Sequence, residues 1–134
     1  MHPSKLCAKD LMNKNVNTIT EADSINKAVK IMSDAGVSSL VVERNDDNDA
    51  FGIITRKDIV EALMSDLETN GGSLRVEDIM SKPAITVSPN LSIFRCYQMM
   101  RMMGVRRMPV VDDNQVVGIL SNTDLFRCLA KDVS

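Results

Sequence analysis

The chain has 134 residues, of which 44% are hydrophobic and 25% are charged, which suffices for one compact module. A formal net charge of -2 provides no basic field for a phosphate backbone, and one tyrosine and three phenylalanines leave few rings for stacking on bases. We therefore expect no nucleic acid partner. Since no apolar run reaches the roughly 18 residues of a membrane span and the first residues lack a signal-peptide pattern, we expect a cytoplasmic protein without a membrane partner.

The cysteines and the single histidine argue against an enzyme or a metal site. Three cysteines, far apart and in no CxxC pair, favour a reducing compartment and thiols in the core over a disulfide framework or a zinc site: Cys7, Cys96 and Cys128. The only histidine is His2, so no histidine-based general base or metal triad is available, and neither a P-loop nor a GxGxxG fingerprint occurs. We expect neither catalytic residues nor a bound metal.

The predicted elements of the first half are a short strand, a helix, a hairpin and a second helix. Residues 16–19 are extended, and a helix begins at Ser24 and ends at Gly36, where a left-handed C-cap is favoured. Two strands follow over residues 40–43 and 51–54, and the acidic stretch 46–49 between them is interpreted as a solvated hairpin tip rather than a calcium loop. The next helix carries apolar residues at helical spacing, namely Ile59, Val60 and Leu63.

The second half repeats this order after a connector over residues 65–73 that ends in TNGGS. An extended segment over residues 84–87 precedes a helix from Ser92 to Gly104, strands over 108–111 and 116–120, and a helix that carries Leu125, Phe126 and Leu129. Comparing the sequence with itself shows the same repeat at an offset of 68 residues that shortens to 66 within the first hairpin loop. The sequence therefore predicts a mixed α/β fold (α+β) of two βαββα repeats about a pseudo-two-fold axis, with repeats at 7–66 and 74–131 and a linker at 67–73.

Each repeat ends with a strand that runs directly into a helix, and two interpretations of that turn stay open. A helix N-terminus favours an anion, the hydroxyl of Thr55 or Ser121 adds a donor, and the carboxylate of Asp58 or Asp124 is suited to the two hydroxyls of a ribose. The same residues also form S/T-x-x-D capping boxes, which need no ligand.

The motifs, taken together, resemble the CBS (cystathionine beta-synthase) domain family. They are D-[LI]-M before the first strand, G-V-x-x-[LM]-x-V after the first helix, and G-I-[IL]-[ST]-x-x-D at the last helix, each present twice. Two copies resemble the CBS pair called a Bateman module. The resemblance implies a regulatory module that binds AMP, ADP, ATP or S-adenosylmethionine in clefts between the repeats. It also implies a homodimer and an unidentified protein target; the alternative is a ligand-free module that serves assembly.

The resemblance also implies which residues line the clefts. The preferred cleft takes the ribose on Asp124, the phosphates on two arginines and the base against the segment before the first strand: Asp124, Ser121, Thr123, Arg106, Arg107, Ser38, Asn15, Val16 and Asn17. The mirror cleft comprises Asp58, Thr55, Arg56, Ala84, Ile85 and again Arg106. The first cleft is preferred because its hydroxyl set is fuller.

Departures from the repeat are informative as well. Arg106 and Arg107 stand where the first copy has Ser38 and Ser39. Met102, where the first copy has Asp34, widens the apolar arc of its helix beyond that of an ordinary surface helix. We therefore expect this helix to contribute to a homodimer.

Overall fold

The computed structural model describes residues 5–65 and 73–132. His2 and nearly all of the predicted linker lie outside the described residues. Within these ranges the chain forms the following elements in order: α1 (Ala8–Leu11), β1 (Thr18–Ile19), α2 (Ile25–Ala35), β2 (Ser39–Val42), β3 (Gly52–Thr55), α3 (Arg56–Ser65), α4 (Val76–Ile79), α5 (Ile93–Met103), β4 (Arg107–Asp112), β5 (Gln115–Ser121) and α6 (Asn122–Asp132).

These elements belong to two compact units that do not coincide with the two repeats. The continuous unit runs from Asn17 to Ala84, and the discontinuous unit combines the described residues up to Val16 with those from Ile85 onward. The start of the first repeat therefore packs with the hairpin and last helix of the second. The start of the second repeat, which includes α4, packs with the hairpin and last helix of the first.

The two long helices begin and end where the sequence predicts. The hydroxyl of Ser24 accepts a hydrogen bond from the Lys27 N–H at 3.1 Å, and the hydroxyl of Ser92 does the same for Arg95 at 3.3 Å. Gly36 and Gly104 both cap the C-terminus with a φ of 67°, in the left-handed region that favours glycine. The predicted α2 and α5 are thereby confirmed.

The two hairpins are also confirmed, but the extended segments before the helices differ. In the continuous unit β1 pairs parallel with β2, which pairs antiparallel with β3. In the discontinuous unit β4 and β5 pair antiparallel, and the predicted strand over 84–87 reduces to one bridge between Val87 and Val110. Pro109 explains this difference. In the continuous unit the residue at the matching position, Val41, donates its N–H to the Asn17 carbonyl at 3.0 Å, whereas proline has no N–H to donate.

Each unit has its own apolar core. Full burial of a valine, leucine, isoleucine or methionine side chain stabilises a fold by about 1.5–3 kcal/mol. The core of the continuous unit contains Ile19, Ile25, Ala28, Met32, Leu40, Val42, Ile54, Ile59 and Val76. The core of the discontinuous unit contains Ala8, Val87, Cys96, Met100, Met108, Val110 and Leu120. Of the three predicted core thiols, only Cys96 is buried, whereas Cys7 and Cys128 are partly exposed.

Two short helices that the sequence analysis missed, α1 and α4, account for the D-[LI]-M motif. The Asp10 carboxylate accepts the Cys7 N–H at 2.8 Å and the Asp78 carboxylate accepts the Arg75 N–H at 2.8 Å, so each aspartate holds the first turn of a helix. The signal was present, because an aspartate three residues after a helix start is a capping pattern, but four-residue helices show no apolar periodicity.

Lys82 joins the first hairpin loop to the rest of the continuous unit. Its ammonium lies 2.6 Å from a Glu21 carboxylate oxygen and 2.7 Å from Asp49, and Glu21 also accepts a hydrogen bond from Asn45 at 2.6 Å. The predicted hairpin tip is solvated at Asp47, whereas the Asp49 side chain is 22% exposed and paired with Lys82. The loop carries the two residues that the second copy lacks.

This network predicts a loss of stability in acid. Hydrogen bonds from Lys82 and from the Asn45 N–H lower the pKa of Asp49 from 3.8 to about 2, and the Lys82 hydrogen bond also lowers the pKa of Glu21. Because both carboxyl pKa values are lower in the folded state, their stabilisation is complete above the unfolded values and is lost as the pH falls from about 4 to 2. Urea unfolding at pH 7 and pH 3 should show a smaller acid loss for Asp49→Asn than for the wild type. Asp47→Asn, at a fully exposed side chain, is the control that should retain the wild-type loss.

Candidate functional site

The strand-to-helix turn of the discontinuous unit is closed by Ser121 and Asp124. One carboxylate oxygen of Asp124, Oδ2, accepts the Ser121 N–H at 2.8 Å and the Ser121 hydroxyl at 2.9 Å, and the Ser121 oxygen accepts the Asp124 N–H at 3.2 Å. The capping-box interpretation is therefore confirmed. The capping bonds do not use the other carboxylate oxygen, Oδ1, which lies 3.7 Å from a guanidinium nitrogen of Arg127. The Asp124 side chain is 12% exposed. Among the described residues Oδ1 accepts no hydrogen bond, so it can accept one from a ligand.

The two predicted arginines lie beside this turn. Arg107 is the direct cross-strand partner of Ser121 in the β4–β5 ladder. The Arg106 carbonyl accepts the N–H of Asn122, the first residue of α6, at 2.8 Å, and the Arg106 side chain is exposed. Directly opposed residues of an antiparallel pair place their side chains on one face. The sheet register thus brings positive charge to the N-terminus of α6.

The segment before the first strand lies along the other edge of β5. Asn13 and Ile119 exchange both backbone hydrogen bonds, at 2.8 and 2.9 Å, and the Asn13 side chain accepts the Asn15 N–H at 2.9 Å in a tight turn. Asn15 is exposed and Val16 is partly buried. Asn13, which was not among the predicted site residues, thus attaches this segment to β5 at Ile119, two residues before Ser121.

Most of the residues predicted for the preferred cleft belong to this one unit. They are Asn15, Val16, Arg106, Arg107, Ser121, Thr123 and Asp124, and Ile85 of the mirror set packs against the core of the same unit. Asn17 and Ser38 belong to the continuous unit, and their contribution to this site stays a prediction.

The continuous unit carries the corresponding turn with its two cations, Arg56 and Lys57, in the first turn of α3 rather than at the start of the preceding hairpin. The Asp58 carboxylate accepts the Thr55 N–H at 3.2 Å, and the Thr55 hydroxyl oxygen accepts the Asp58 N–H at 3.1 Å. The Arg56 N–H donates to the Ser38 carbonyl at 2.8 Å, so serine occupies the place of Arg106. Ala84, which donates its N–H to Phe51 at 2.8 Å, completes the predicted residues of this unit.

Comparison with known proteins shows the family of the chain. The model of the CBS domain matches residues 8–65 and 76–131. The chain belongs to the CBS domain family. The resemblance in its motifs, and the mixed α/β class with two repeats, are thereby confirmed.

The similarity extends to whole CBS proteins and to solved structures. The CBS domain-containing protein YhcV of Bacillus subtilis is 32% identical over 118 residues, which cover 87% of this chain and 81% of that protein. A hexameric CBS-CP12 protein from bloom-forming cyanobacteria superposes with a TM-score of 0.87 at 31% identity, covering 91% of this chain and 71% of that one. The CBS domain pair of protein MJ0100, solved in complex with 5'-methylthioadenosine and S-adenosyl-L-methionine, superposes with a TM-score of 0.80 at 28% identity, covering 94% and 97%.

Other relatives are longer than this chain. The chain spans 43% of an uncharacterized protein of Methanocaldococcus jannaschii and 48% of one of Methanopyrus kandleri, at 27% and 34% identity. It also spans 23% of the inosine-5'-monophosphate dehydrogenase of Korarchaeum cryptofilum, at 30% identity. The region that matches this chain is therefore a minor part of that dehydrogenase.

The donor set of the Asp124 turn is suited to binding rather than to catalysis. A partly buried carboxylate can accept ribose hydroxyls, backbone N–H groups at a helix start and a nearby guanidinium can bind phosphate, and an extended segment can border a base. Among the described residues, no group of three or more histidine, cysteine or acidic side chains could hold a metal ion. In the same part of the chain, no helix is long and apolar enough to cross a membrane.

Proposed function

We propose that this CBS pair is a regulatory module that binds an adenosyl ligand at the Ser121–Asp124 turn. The observation that carries the proposal is the Asp124 carboxylate, which uses Oδ2 to cap α6 and keeps Oδ1 at a partly buried surface. Capping and ribose binding are therefore compatible in one side chain, each with its own oxygen.

Each part of an adenosyl ligand has a chemically suitable partner near this turn. The two ribose hydroxyls donate to the Asp124 carboxylate in charge-assisted bonds of about 1.5–3 kcal/mol each. A 5'-phosphate, where present, is attracted by Arg106 and by the N-terminus of α6. The base lies along Asn15 and Val16, whose backbone groups read its edge. The adenosyl ligands in the related MJ0100 pair support this class of ligand.

A ligand panel tests the proposal. Isothermal titration calorimetry and thermal unfolding with AMP, ADP, ATP, NAD, S-adenosylmethionine and 5'-methylthioadenosine should show binding of at least one compound. A ligand present at 100 times its Kd stabilises the folded state by about 2.7 kcal/mol, which raises the Tm by several degrees. Inosine and cytidine at equal concentration are the controls. The proposal fails if no adenosyl compound gives heat or raises the Tm.

Self-association through α5 is a second part of the proposed function. Four large apolar side chains of this helix are exposed: Phe94 by 55%, Tyr97 by 47%, Met102 by 82% and Met103 by 53%. Several exposed large apolar groups on one helix are typical of an interaction surface. The hexameric CBS-CP12 protein supports assembly between CBS chains. In a homodimer the exposed apolar side chains of α5 would pack against those of α5 in a second copy of the chain.

Light scattering coupled to size exclusion measures this directly. The wild type at micromolar concentration should have twice the chain mass of 14.8 kDa. Met102→Asp, which installs the residue type of Asp34 in the first copy, should shift the protein to the monomer. Met64→Asp, at a methionine of α3 that is 67% exposed, is the matched control and should leave the dimer intact. A monomeric wild type would contradict the assignment.

A further inference from the structure

A cavity of about 340 Å³ lies between α1 and α6 in the discontinuous unit. Residues of α6 that are three or four positions apart line one side of it, as expected for one face of a helix. Residues of α1 and of the turn before it line the other side. The lining comprises two carboxylates, two cations, two leucines and a cysteine: Asp10, Asp124, Arg127, Lys131, Leu6, Leu11 and Cys128.

The charges of this groove balance, which restricts the ligands that it suits. A phosphate would be repelled by Asp10 and Asp124, and a polyamine would be repelled by Arg127 and Lys131. A zwitterion meets an opposite charge at each of its ends. The two leucines offer apolar surface to a side chain. The composition therefore fits a small molecule that carries an ammonium, a carboxylate and an apolar group.

Arg127 has the geometry to receive the carboxylate. Its side chain is 71% exposed, and its nearest carboxylate oxygen, Oδ1 of Asp124, lies 3.7 Å away. This distance allows electrostatic attraction but is too long for a hydrogen bond. A guanidinium has five N–H donors in a planar fork that matches a carboxylate, so Arg127 retains donors for a ligand.

The continuous unit lacks this balance of charge. Its sequence positions that correspond to the four charged residues carry three acidic groups and a serine, with no cation among them. Glu61 stands in place of Arg127, and Ser65 stands in place of Lys131. The remaining two are Asp58 and Asp78. The pairing of carboxylates with cations is thus specific to the α1–α6 groove, and α3 with α4 of the continuous unit provide a matched comparison.

We propose that the α1–α6 groove binds an α-amino acid zwitterion, with its carboxylate on Arg127, its ammonium between Asp10 and Asp124, and its side chain against the leucines. The zwitterion is either a free amino acid or the aminoacyl tail of a larger ligand; in the second case Oδ1 of Asp124 holds the ribose, and Asp10 is the carboxylate that faces the ammonium. The second source rests on the proposed function; the first does not.

Titration with L-methionine followed by NMR tests the free source. The wild type should bind with a Kd of about 1 mM, as suits a small ligand in an open groove. Arg127→Glu and Arg127→Gln should each weaken this binding at least tenfold, as should removal of either charge from the probe, in 3-(methylthio)propylamine or 4-(methylthio)butanoate. Glu61→Gln in the other repeat should leave it unchanged. Because Arg127 is largely exposed, the fold of both variants should persist, which the same spectra verify.

Calorimetry with S-adenosylmethionine and 5'-methylthioadenosine tests the second source, because the latter lacks the aminoacyl group. If the tail occupies the groove, Arg127→Gln weakens binding of S-adenosylmethionine at least tenfold and leaves that of 5'-methylthioadenosine unchanged. Binding of L-methionine without any adenosyl ligand would refute the proposed function and leave this inference standing. The inference is overturned if the Arg127 variants alter the affinity for neither L-methionine nor S-adenosylmethionine, including the case in which the wild type binds neither.

Discussion

Asp124→Asn is expected to weaken binding of an adenosyl ligand by about 30-fold or more while leaving α6 capped. The neutral amide oxygen can still accept the Ser121 N–H, so the reciprocal bonds of the capping box are kept. It loses the charge that strengthens the two bonds to the ribose, and a loss of about 1 kcal/mol in each bond amounts to roughly 30-fold in Kd. Calorimetry with the ligand selected by the panel measures the change.

Asp124→Ala alone would be a poor test, because the structure gives this side chain a second role. Removing the carboxylate also removes the two hydrogen bonds that Oδ2 accepts from Ser121, which costs about 0.5–1.5 kcal/mol of stability for each bond, although the Ser121 hydroxyl oxygen can still accept the N–H of residue 124. Asp58→Asn and Asp58→Ala are the matched controls, since Asp58 caps α3 with the same geometry. If the ligand occupies the Asp124 turn, the Asp58 variants retain their affinity. An equal loss at both positions, or a loss at Asp58 only, would refute the ranking of the two turns.

The sequence predicted the elements of this fold well because their signals are local. Ser24 and Gly36 delimit a helix by their own conformational preferences, and so do Ser92 and Gly104. The strands were found because valine and isoleucine dominate them. The sequence also contained a signal against a strand at 84–87, namely Pro109 in β4. A strand at 84–87 would need an N–H from this position, which proline lacks, but the similarity of the two repeats made this easy to overlook.

The composition of the site was harder to predict, because it depends on which segments pack together. The motifs appear in the order of the repeats, yet Asn13 of the first repeat is hydrogen bonded to Ile119 of the second. Only the resemblance to CBS domains suggested this exchange of segments. The Lys82 network was missed for the same reason, since the partners of Lys82 lie 33 and 61 residues away in the sequence.

Close packing between the exchanged segments explains why two motifs contain a methionine and a glycine. Met12, from the D-L-M motif of the first repeat, lies over Gly118, from the G-I-L-S motif of the second, and Met80 lies over Gly52 in the same way. A Cβ at Gly118 would lie 2.5 Å from the Met12 sulfur, 2.7 Å from its Cγ and 3.1 Å from the Asn13 carbonyl oxygen. The glycine thus allows the segment before the first strand to approach β5.

Gly118→Ala is therefore expected to destabilise the protein by about 1–3 kcal/mol, as overpacking of a tight contact does. Gly52→Ala is the control at the matching position, where the nearest atoms, the Met80 sulfur and the Val42 Cβ, are both 3.2 Å away and the cost should be smaller. Urea unfolding measures both changes.

The origin of the cost can be isolated in a double-mutant cycle. In a Met12→Ala background the cost of Gly118→Ala should fall, since the two closest atoms are then absent. The Asn13 carbonyl remains close, so some cost should persist. The added Cβ should also displace the segment that carries Asn15 and Val16 from β5. Gly118→Ala should therefore also weaken binding of the adenosyl ligand, whereas Gly52→Ala should not. Equal costs for the two alanine variants would show that the approach of Met12 to β5 does not determine the stability of this unit.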